Sequence, residues 1–411
     1  MVYVYNAHIT ILFIRICAPT TATFDKRCDM SEHETMSAEA FQDQYFDGDE
    51  GFDEGLIGED AEFATLRAEL DEAREQLFSI RDFIRFAVTQ LRQYDVVVAQ
   101  GTTDEFAEAA AIVLHSLSLD WSADEQVLDC RLTMSEKQAV LGLLEERIAE
   151  RKPLSYLINL AYFCDLPFYV DERVLIPRSP IAELIRQQFY PYFDVNEFAK
   201  PIGKATGKQG ASFFDHGLEL KQLSQPERIL DLCTGSGCIA IALATRFVDA
   251  MVDAADIDKG ALEVAGVNVE HHELNHQINV IESDLFAKIP AEHQYELIVT
   301  NPPYVDAAIM ADLPPEFLYE PEHALAAGQD GLTLVHRILH DAPDYLSPEG
   351  LLVCEVGDSE WALSQAYPEI QFDWLKFAHG GHGIFAITYA ELMEHRELFA
   401  HQVALLEQNG L

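Results

Sequence analysis

Ile229-Leu230-Asp231-Leu232-Cys233-Thr234-Gly235-Ser236-Gly237-Cys238 runs from an apolar strand through a Gly-rich turn into a helix. Glycine admits backbone conformations closed to other residues and lets a ligand approach the main chain closely. The Gly235-Ser236-Gly237 spacing alone serves nucleotide, flavin and methyl-donor sites. Here the third glycine of a dinucleotide fingerprint is missing, and no Lys-Ser/Thr follows as in a phosphate loop. Outward from the turn, apolar strands at 229–232, 251–257, 278–282, 297–300, 350–356 and 384–389 alternate with helical patterns at 238–246, 260–270, 331–344 and 359–365. The alternation predicts an α/β fold: a parallel sheet covered on both faces, with its ligand at the carboxyl ends of the strands.

Carboxylates at those ends sharpen the ligand. Asp256 ends the strand after the Gly turn, about twenty residues on, where it can accept both hydroxyls of a ribose. Asp258 competes for that role and reads better as a helix cap ahead of Lys259. Asp284 ends the following strand and suits a hydrogen bond from an adenine amino group, with Leu285 and Phe286 packing the ring. Any one of these acids could be a simple strand-end cap. Together with Asp231, Thr234, Gly235, Ser236 and Gly237 they point to an adenosine without phosphates, namely S-adenosyl-L-methionine.

The reaction is read from Val299-Thr300-Asn301-Pro302-Pro303-Tyr304-Val305. Two prolines fix φ, and Pro302 also restricts Asn301, so the turn is rigid. The Asn301 side-chain oxygen and the Pro302 carbonyl can then accept from one planar NH₂ group and aim its nitrogen lone pair at a methyl carbon. Pro303 stiffens the turn and Tyr304 supplies an apolar or stacking wall. Asn301 also borders the donor site. In another context a Pro-Pro-Tyr turn is merely structural; after a complete donor site it becomes the acceptor site.

The chain resembles the class I methyltransferases with an Asn-Pro-Pro-Tyr motif, and more closely the protein glutamine methyltransferases, over roughly residues 65–390. The shared text includes Arg151-Lys152-Pro153 with Tyr156, the run from Phe168 to Arg178, the Gly turn, Asn301 to Tyr304, Glu320-Pro321 and Asp330-Gly331-Leu332. The resemblance implies a Rossmann-like domain, S-adenosyl-L-methionine converted to S-adenosyl-L-homocysteine, and a glutamine amide gripped by Asn301 and Pro302. Of two sister branches, the one acting on peptide chain release factors usually reads Arg-Pro-Glu-Thr-Glu where this chain has Arg178-Ser179-Pro180-Ile181-Ala182, and commonly has Gly where Cys233 stands. The text therefore looks like the branch that methylates a glutamine of large-subunit ribosomal protein three.

Toward the N-terminus, Leu66, Leu70, Ala73, Leu77, Ile80, Ile84 and Leu91 recur at helical spacing and predict one long amphipathic helix. Further helices are expected after Asp104 and after Ser135, stopping at Pro153. Between 163 and 177 the period drops to two, predicting a β-hairpin that turns at Asp171-Glu172. The expected organisation is an acidic, disordered extension at 1–61, a small helical substrate-recognition domain at 62–160, and a hairpin, linker and insertion at 161–225. The methyltransferase domain follows at 226–392, then a helical tail at 393–411. The stretch 1–19 lacks a basic leader and carries Arg15, which suggests an upstream start, with Met30 or Met36 as alternatives, rather than a signal peptide.

The 411 residues hold 27 Lys+Arg against 70 Asp+Glu, a net charge of −43, with 49% hydrophobic residues for a core. Residues 31–75 contribute −14 of that charge, so the remainder is acidic in its own right. Such a surface repels phosphate backbones and favours a basic protein partner. That weighs against an adenine-amino methyltransferase acting on nucleic acid, the enzymatic rival that uses the same turn. Lys200, Lys204, Lys208 and Lys221 form the one basic cluster and read as a solvated loop. A non-catalytic ribosome-assembly module would not need both sites intact. Seven scattered cysteines with no CxxC pair fit a reducing, cytoplasmic setting without disulfides or structural metal. No general base is evident; His379 and His382 read as loop residues.

Overall fold

Capping chemistry divides the N-terminal helices. The computed structural model describes residues 57–193, 223–378 and 380–408. The extension before residue 57, the Lys200–Lys221 cluster and His379 lie outside these. Where the apolar stripe predicts one helix, the chain forms α1 (Ile57–Gln76) and α2 (Ile80–Gln93). The break is Ser79: its hydroxyl accepts from the Asp82 N–H, and the Asp82 carboxylate accepts from the Ser79 N–H. That reciprocal capping box satisfies donors at a fresh helix start, so the stripe continues while the helix does not. Asp104 caps α3 (Glu105–Ser116), and Thr133 with Glu136 caps α4 (Met134–Glu150). Leu66, Leu70, Phe83, Leu91, Val113 and Leu144 bury between the four helices.

A buried ion pair sits at the edge of that core. Arg147, 1% exposed, donates from Nε to Glu108 at 2.6 Å and from Nη2 to the Val97 carbonyl at 2.9 Å. Glu316, far along the chain, accepts from the Val97 N–H at 3.0 Å and from Arg151 at 3.2 Å. The Tyr319 hydroxyl donates to the Glu150 carbonyl at 2.6 Å. The helical unit is thereby fastened to the segment that follows Asn301 to Tyr304.

The hairpin lies earlier than its period suggests. β1 (Ala161–Phe163) pairs antiparallel with β2 (Leu166–Phe168) and reverses at Cys164-Asp165, both left-handed with φ of 51° and 68°. Asp171 instead starts a turn closed by the Val174 N–H on its carbonyl at 3.1 Å. Beyond it the short helix α5 (Ile181–Arg186) leads toward the main sheet.

Near-continuous Ile, Leu and Val runs make the strands β3 (Arg228–Leu232), β4 (Met251–Asp256), β5 (Ile278–Glu282), β6 (Tyr295–Thr300) and β7 (Leu346–Glu355). With β8 (Asp373–Trp374) and β9 (Ile384–Thr388) they form a seven-stranded sheet in the order β5-β4-β3-β6-β7-β9-β8. Five strands are parallel, as expected; β9 runs antiparallel to β7, and β8 antiparallel to β9. This edge corrects the all-parallel expectation, and β8 has no sequence signal beyond two residues. β9 follows β8 as its hairpin partner, and antiparallel strands of this kind can finish a parallel sheet.

Helices α6 (Cys238–Arg246) and α7 (Lys259–His271) cover one face, and α8 (Thr333–Asp341) and α9 (Glu360–Ala366) the other. The C-terminal α10 (Tyr389–Glu394) and α11 (Arg396–Gln408) are no detached tail: Phe399 is fully buried in the second core.

Removing the Arg147 cation strands the Glu108 carboxylate in the interior, a loss of about 3–5 kcal/mol for a broken buried pair. Arg147→Ala is therefore expected to lower the urea midpoint of the helical unit strongly, monitored by hydrogen exchange at α3 and α4.

Candidate active site

The order of strands reverses direction between β3 and β6, and the crevice outside their carboxyl ends is where such sheets bind ligands. A cavity of about 240 Å³ opens there. The turn after β3 enters it through Cys233, left-handed at φ 59°, and Gly235 at φ 54°. A Cβ built on Gly235 meets nothing within 4 Å, so the glycine leaves the backbone open to the cavity. The turn is held from behind by the Thr234 N–H on the Ala255 carbonyl at 3.0 Å. Fully buried Asn268 donates to the Ser236 carbonyl at 2.9 Å and exchanges hydrogen bonds with the Tyr169 backbone. Nothing in the sequence marks Asn268, since its partners come from two segments distant from it and from each other.

Thr234, Gly235, Ser236, Asp256, Asp284, Leu285, Asn301 and Pro303 all line the cavity. Asp256 accepts from the Gly235 N–H at 2.9 Å with one oxygen and from the Asp258 N–H at 3.0 Å with the other. Each oxygen keeps a further lone pair for a hydroxyl donor. Burial, opposed by those two bonds, raises its pKa from the ordinary value. Asp258 caps α7 through the Ala261 N–H at 2.8 Å, which settles its role as a helix cap. Asp284 faces the cavity with one oxygen held by Arg337 at 2.9 Å. Phe286 is turned away from it, stacked on Tyr345 at 4.8 Å between ring centroids, a correction to the expected packing against a ligand ring.

Four of the proposed residues do not line the cavity. Asp231 lies fully buried beneath the turn, accepting from the Thr234 hydroxyl at 2.6 Å and the Ala240 N–H at 3.0 Å. Gly237 begins α6 and packs on Ala265. Pro302 is buried, and the Tyr304 hydroxyl donates to Glu355 at 2.9 Å. Asp231 and Gly237 thus shape the Gly turn from behind, and Tyr304 stands at the end of the Asn301-Pro302-Pro303 turn.

The Asn301 Oδ1 is a buried acceptor with no hydrogen-bond partner, as is the Ser236 hydroxyl oxygen. Unpaired buried polar atoms are costly, and these two belong to residues lining the cavity, where a ligand can satisfy them. The three arginines that line the cavity are already paired: Arg173 with Asp171 and Glu263, Arg178 with Glu320, and Arg337 with Asp284. A nucleoside with hydroxyl and amino donors fits these acids, whereas a phosphate would meet cations already engaged. S-adenosyl-L-methionine is such a ligand. His382 lies apart from the cavity, paired with Asp358 at 2.8 Å.

Burial pushes the Asp231 carboxyl up to about 7, against the lowering effect of the Thr234 and Ala240 bonds. A carboxyl raised in the fold stabilises it while protonated. That contribution is complete below the ordinary value of 3.8 and is lost as pH rises through about 7. The stability of the wild type relative to Asp231→Asn should therefore fall between about pH 4 and about pH 7. Urea unfolding across that window measures it, and a constant difference contradicts the protonated assignment.

Residues 209–335 match the family model described as Methyltransferase small domain. The chain is 42% identical over 319 residues to a ribosomal protein uL3 glutamine methyltransferase of Bradyrhizobium diazoefficiens, spanning 78% of this chain and 93% of that one. It is 38% identical over 323 residues to the protein of the same description from Francisella tularensis subsp. tularensis, spanning 79% and 94%. Among solved structures, a methyltransferase from Pyrococcus furiosus is 20% identical with a TM-score of 0.29, covering 40% of this chain and 75% of that chain.

Proposed function

The chain belongs to the family of ribosomal protein uL3 glutamine methyltransferases, and from that premise we propose that it methylates the side-chain amide nitrogen of a glutamine in ribosomal protein uL3. S-adenosyl-L-methionine supplies an electrophilic methyl group and leaves as S-adenosyl-L-homocysteine. The observation that carries the reading is the unpartnered Asn301 Oδ1 at the end of β6, bordering the same cavity as Gly235, Asp256 and Asp284.

In this reading Thr234, Gly235, Ser236, Asp256, Asp284 and Leu285 hold the adenosine. Asn301 Oδ1 and the Pro302 carbonyl accept from the two N–H bonds of the glutamine amide. An amide nitrogen is a poor nucleophile because its lone pair is delocalised into the carbonyl. Two acceptors fix the plane of the NH₂ and turn the lone pair toward the donor, each bond contributing about 1 kcal/mol net. Holding both reactants in line contributes on the order of 7–11 kcal/mol. The amide proton passes to water after transfer; the histidine among the residues lining the cavity, His323, lies 3.6 Å from the Asp258 carboxylate.

Charge supports a basic polypeptide as acceptor. Residues 289–375, which carry the acceptor turn and β7, hold 16 acids and a single Lys or Arg, Arg337. That cation is paired with Asp284. A nucleic-acid backbone would meet repulsion there, whereas a ribosomal protein not yet covered by its RNA would be attracted. In this reading the helical unit at 62–160, fastened to this segment through Glu316, recognises the folded part of the substrate. The reading is of a cytoplasmic enzyme, and no helix among the described residues is long and apolar enough to cross a membrane.

Asn301→Ala should lower kcat toward uL3 by about 10²–10³-fold, the scale of losing a preorganised hydrogen-bonding group. Binding of S-adenosyl-L-methionine by calorimetry should remain measurable, and unchanged turnover would sink the assignment. The association rate with uL3 in stopped flow should fall steeply as ionic strength rises from about 0.05 to about 0.5 M. A flat rate would reduce the acidity to a solubility trait.

A further inference from the structure

Glu355, the last residue of β7, is 4% exposed and does not line the cavity. Its two carboxylate oxygens are engaged on opposite sides. Oε1 accepts from the Tyr304 hydroxyl at 2.9 Å, and Oε2 accepts from the Ser179 hydroxyl. Tyr304 belongs to the acceptor turn. Ser179 belongs to a different wall of the cavity, the segment carrying Pro177 and Arg178. A single buried carboxylate therefore spans two walls that approach from distant parts of the chain.

Each end of this bridge is braced. The Tyr304 carbonyl accepts from the Ser359 hydroxyl at 3.2 Å, and the same hydroxyl lies 3.0 Å from the Asp330 carbonyl. Gly357, left-handed at φ 49°, packs so closely that a Cβ there would fall 2.5 Å from the Tyr304 ring. On the other wall, Ser179 Oγ accepts from the Ile181 N–H at 3.1 Å at the start of α5. Arg178 next to it is clamped by Glu320, which also accepts from the Ile176 N–H at 3.1 Å. Both hydroxyls are thus presented in fixed positions, and the carboxylate between them sets the separation of the two walls.

We infer that Glu355 is a positioning residue for methyl transfer, holding Tyr304 against the Ser179 wall so that the Asn301-Pro302 acceptors face the donor at a fixed distance. This rests on the methyl-transfer reading above. A carboxylate suits the task because it accepts from two hydroxyls at once without donating. Burial makes each bond stronger and removal of the acceptor costly. The residue touches neither donor nor acceptor, so its loss should act on the rate of transfer rather than on binding of S-adenosyl-L-methionine. Glutamine at 355 keeps one carbonyl oxygen for Tyr304 and offers its amide to the Ser179 oxygen, preserving the geometry without charge.

The test uses the full chain with purified uL3. E355A should lower kcat by about 10²-fold, with a Kd for S-adenosyl-L-methionine within about threefold of wild type. E355Q should recover most of the rate and leave the pH profile of kcat unchanged. Y304F combined with E355A should be no slower than E355A alone, because both variants break the same link. A readout independent of turnover is the ¹⁹F resonance of 3-fluorotyrosine placed at 304, which should shift in E355A and stay in E355Q. Full activity of E355A, additive losses in the double variant, or E355Q as slow as E355A with an altered pH profile would each overturn the inference. A wild type that methylates no protein while the ¹⁹F pattern holds would instead overturn the proposed function and leave the bridge standing.

Discussion

Leu232 at the end of β3 lies in register with Thr300 at the end of β6, and the Thr300 hydroxyl donates to the Leu232 carbonyl at 3.0 Å. The two turns that border the cavity begin at the next residue on each strand, Cys233 and Asn301. Because the strands are parallel, both turns leave the sheet on the same side, and the reversal of strand order opens the space between them. A one-residue slip in this pairing would invert the facing of every side chain on one strand. The buried Ile, Leu and Val of both strands, packed on two faces, oppose such a slip. The remainder of the site depends on that register.

Upon this frame the arginines around the cavity and in the helical core are each paired with a carboxylate. Arg178 is held by Glu320, Arg337 by Asp284, and Arg147 by Glu108. These pairs are not strong sources of net stability, since desolvation offsets their attraction. Their effect is on selectivity: the arginines around the cavity are engaged, and the buried side-chain atoms without partners among the described residues that line it are oxygens, at Asn301 and Ser236. A cavity offering acceptors and occupied cations selects a donor-rich, phosphate-free nucleoside.

The segment after the acceptor turn joins the two halves of the molecule. Glu316 and Tyr319 contact the helical unit, and Glu320 contacts the linker at Ile176 and Arg178. Movement of the helical unit would be carried to the cavity wall through this short 3₁₀ stretch (Pro315–Tyr319), which has little freedom between its prolines and buried Phe317. The helical unit and the cavity wall therefore share one physical link.

Local sequence was sufficient wherever the signal is carried by neighbours along the chain. The strands, the Gly turn, the Asn301-Pro302-Pro303-Tyr304 turn, the cap at Asp104 and the cap at Asp258 all depend on residue type within a few positions. The break at Ser79 was equally local, in Ser79 and Asp82, but the apolar stripe running through it masked the cap. Only the tertiary structure decided that Asp231 lies behind the turn, that Phe286 faces Tyr345, that β9 returns antiparallel, and that Asn268 and Glu355 join distant segments. Those outcomes depend on which groups meet across the sheet, and hydrogen bonds between residues tens to hundreds of positions apart leave no period or spacing in one sequence. The sequence by itself determined what chemistry each strand end carries; packing determined which of those groups face the cavity and which hold it in place.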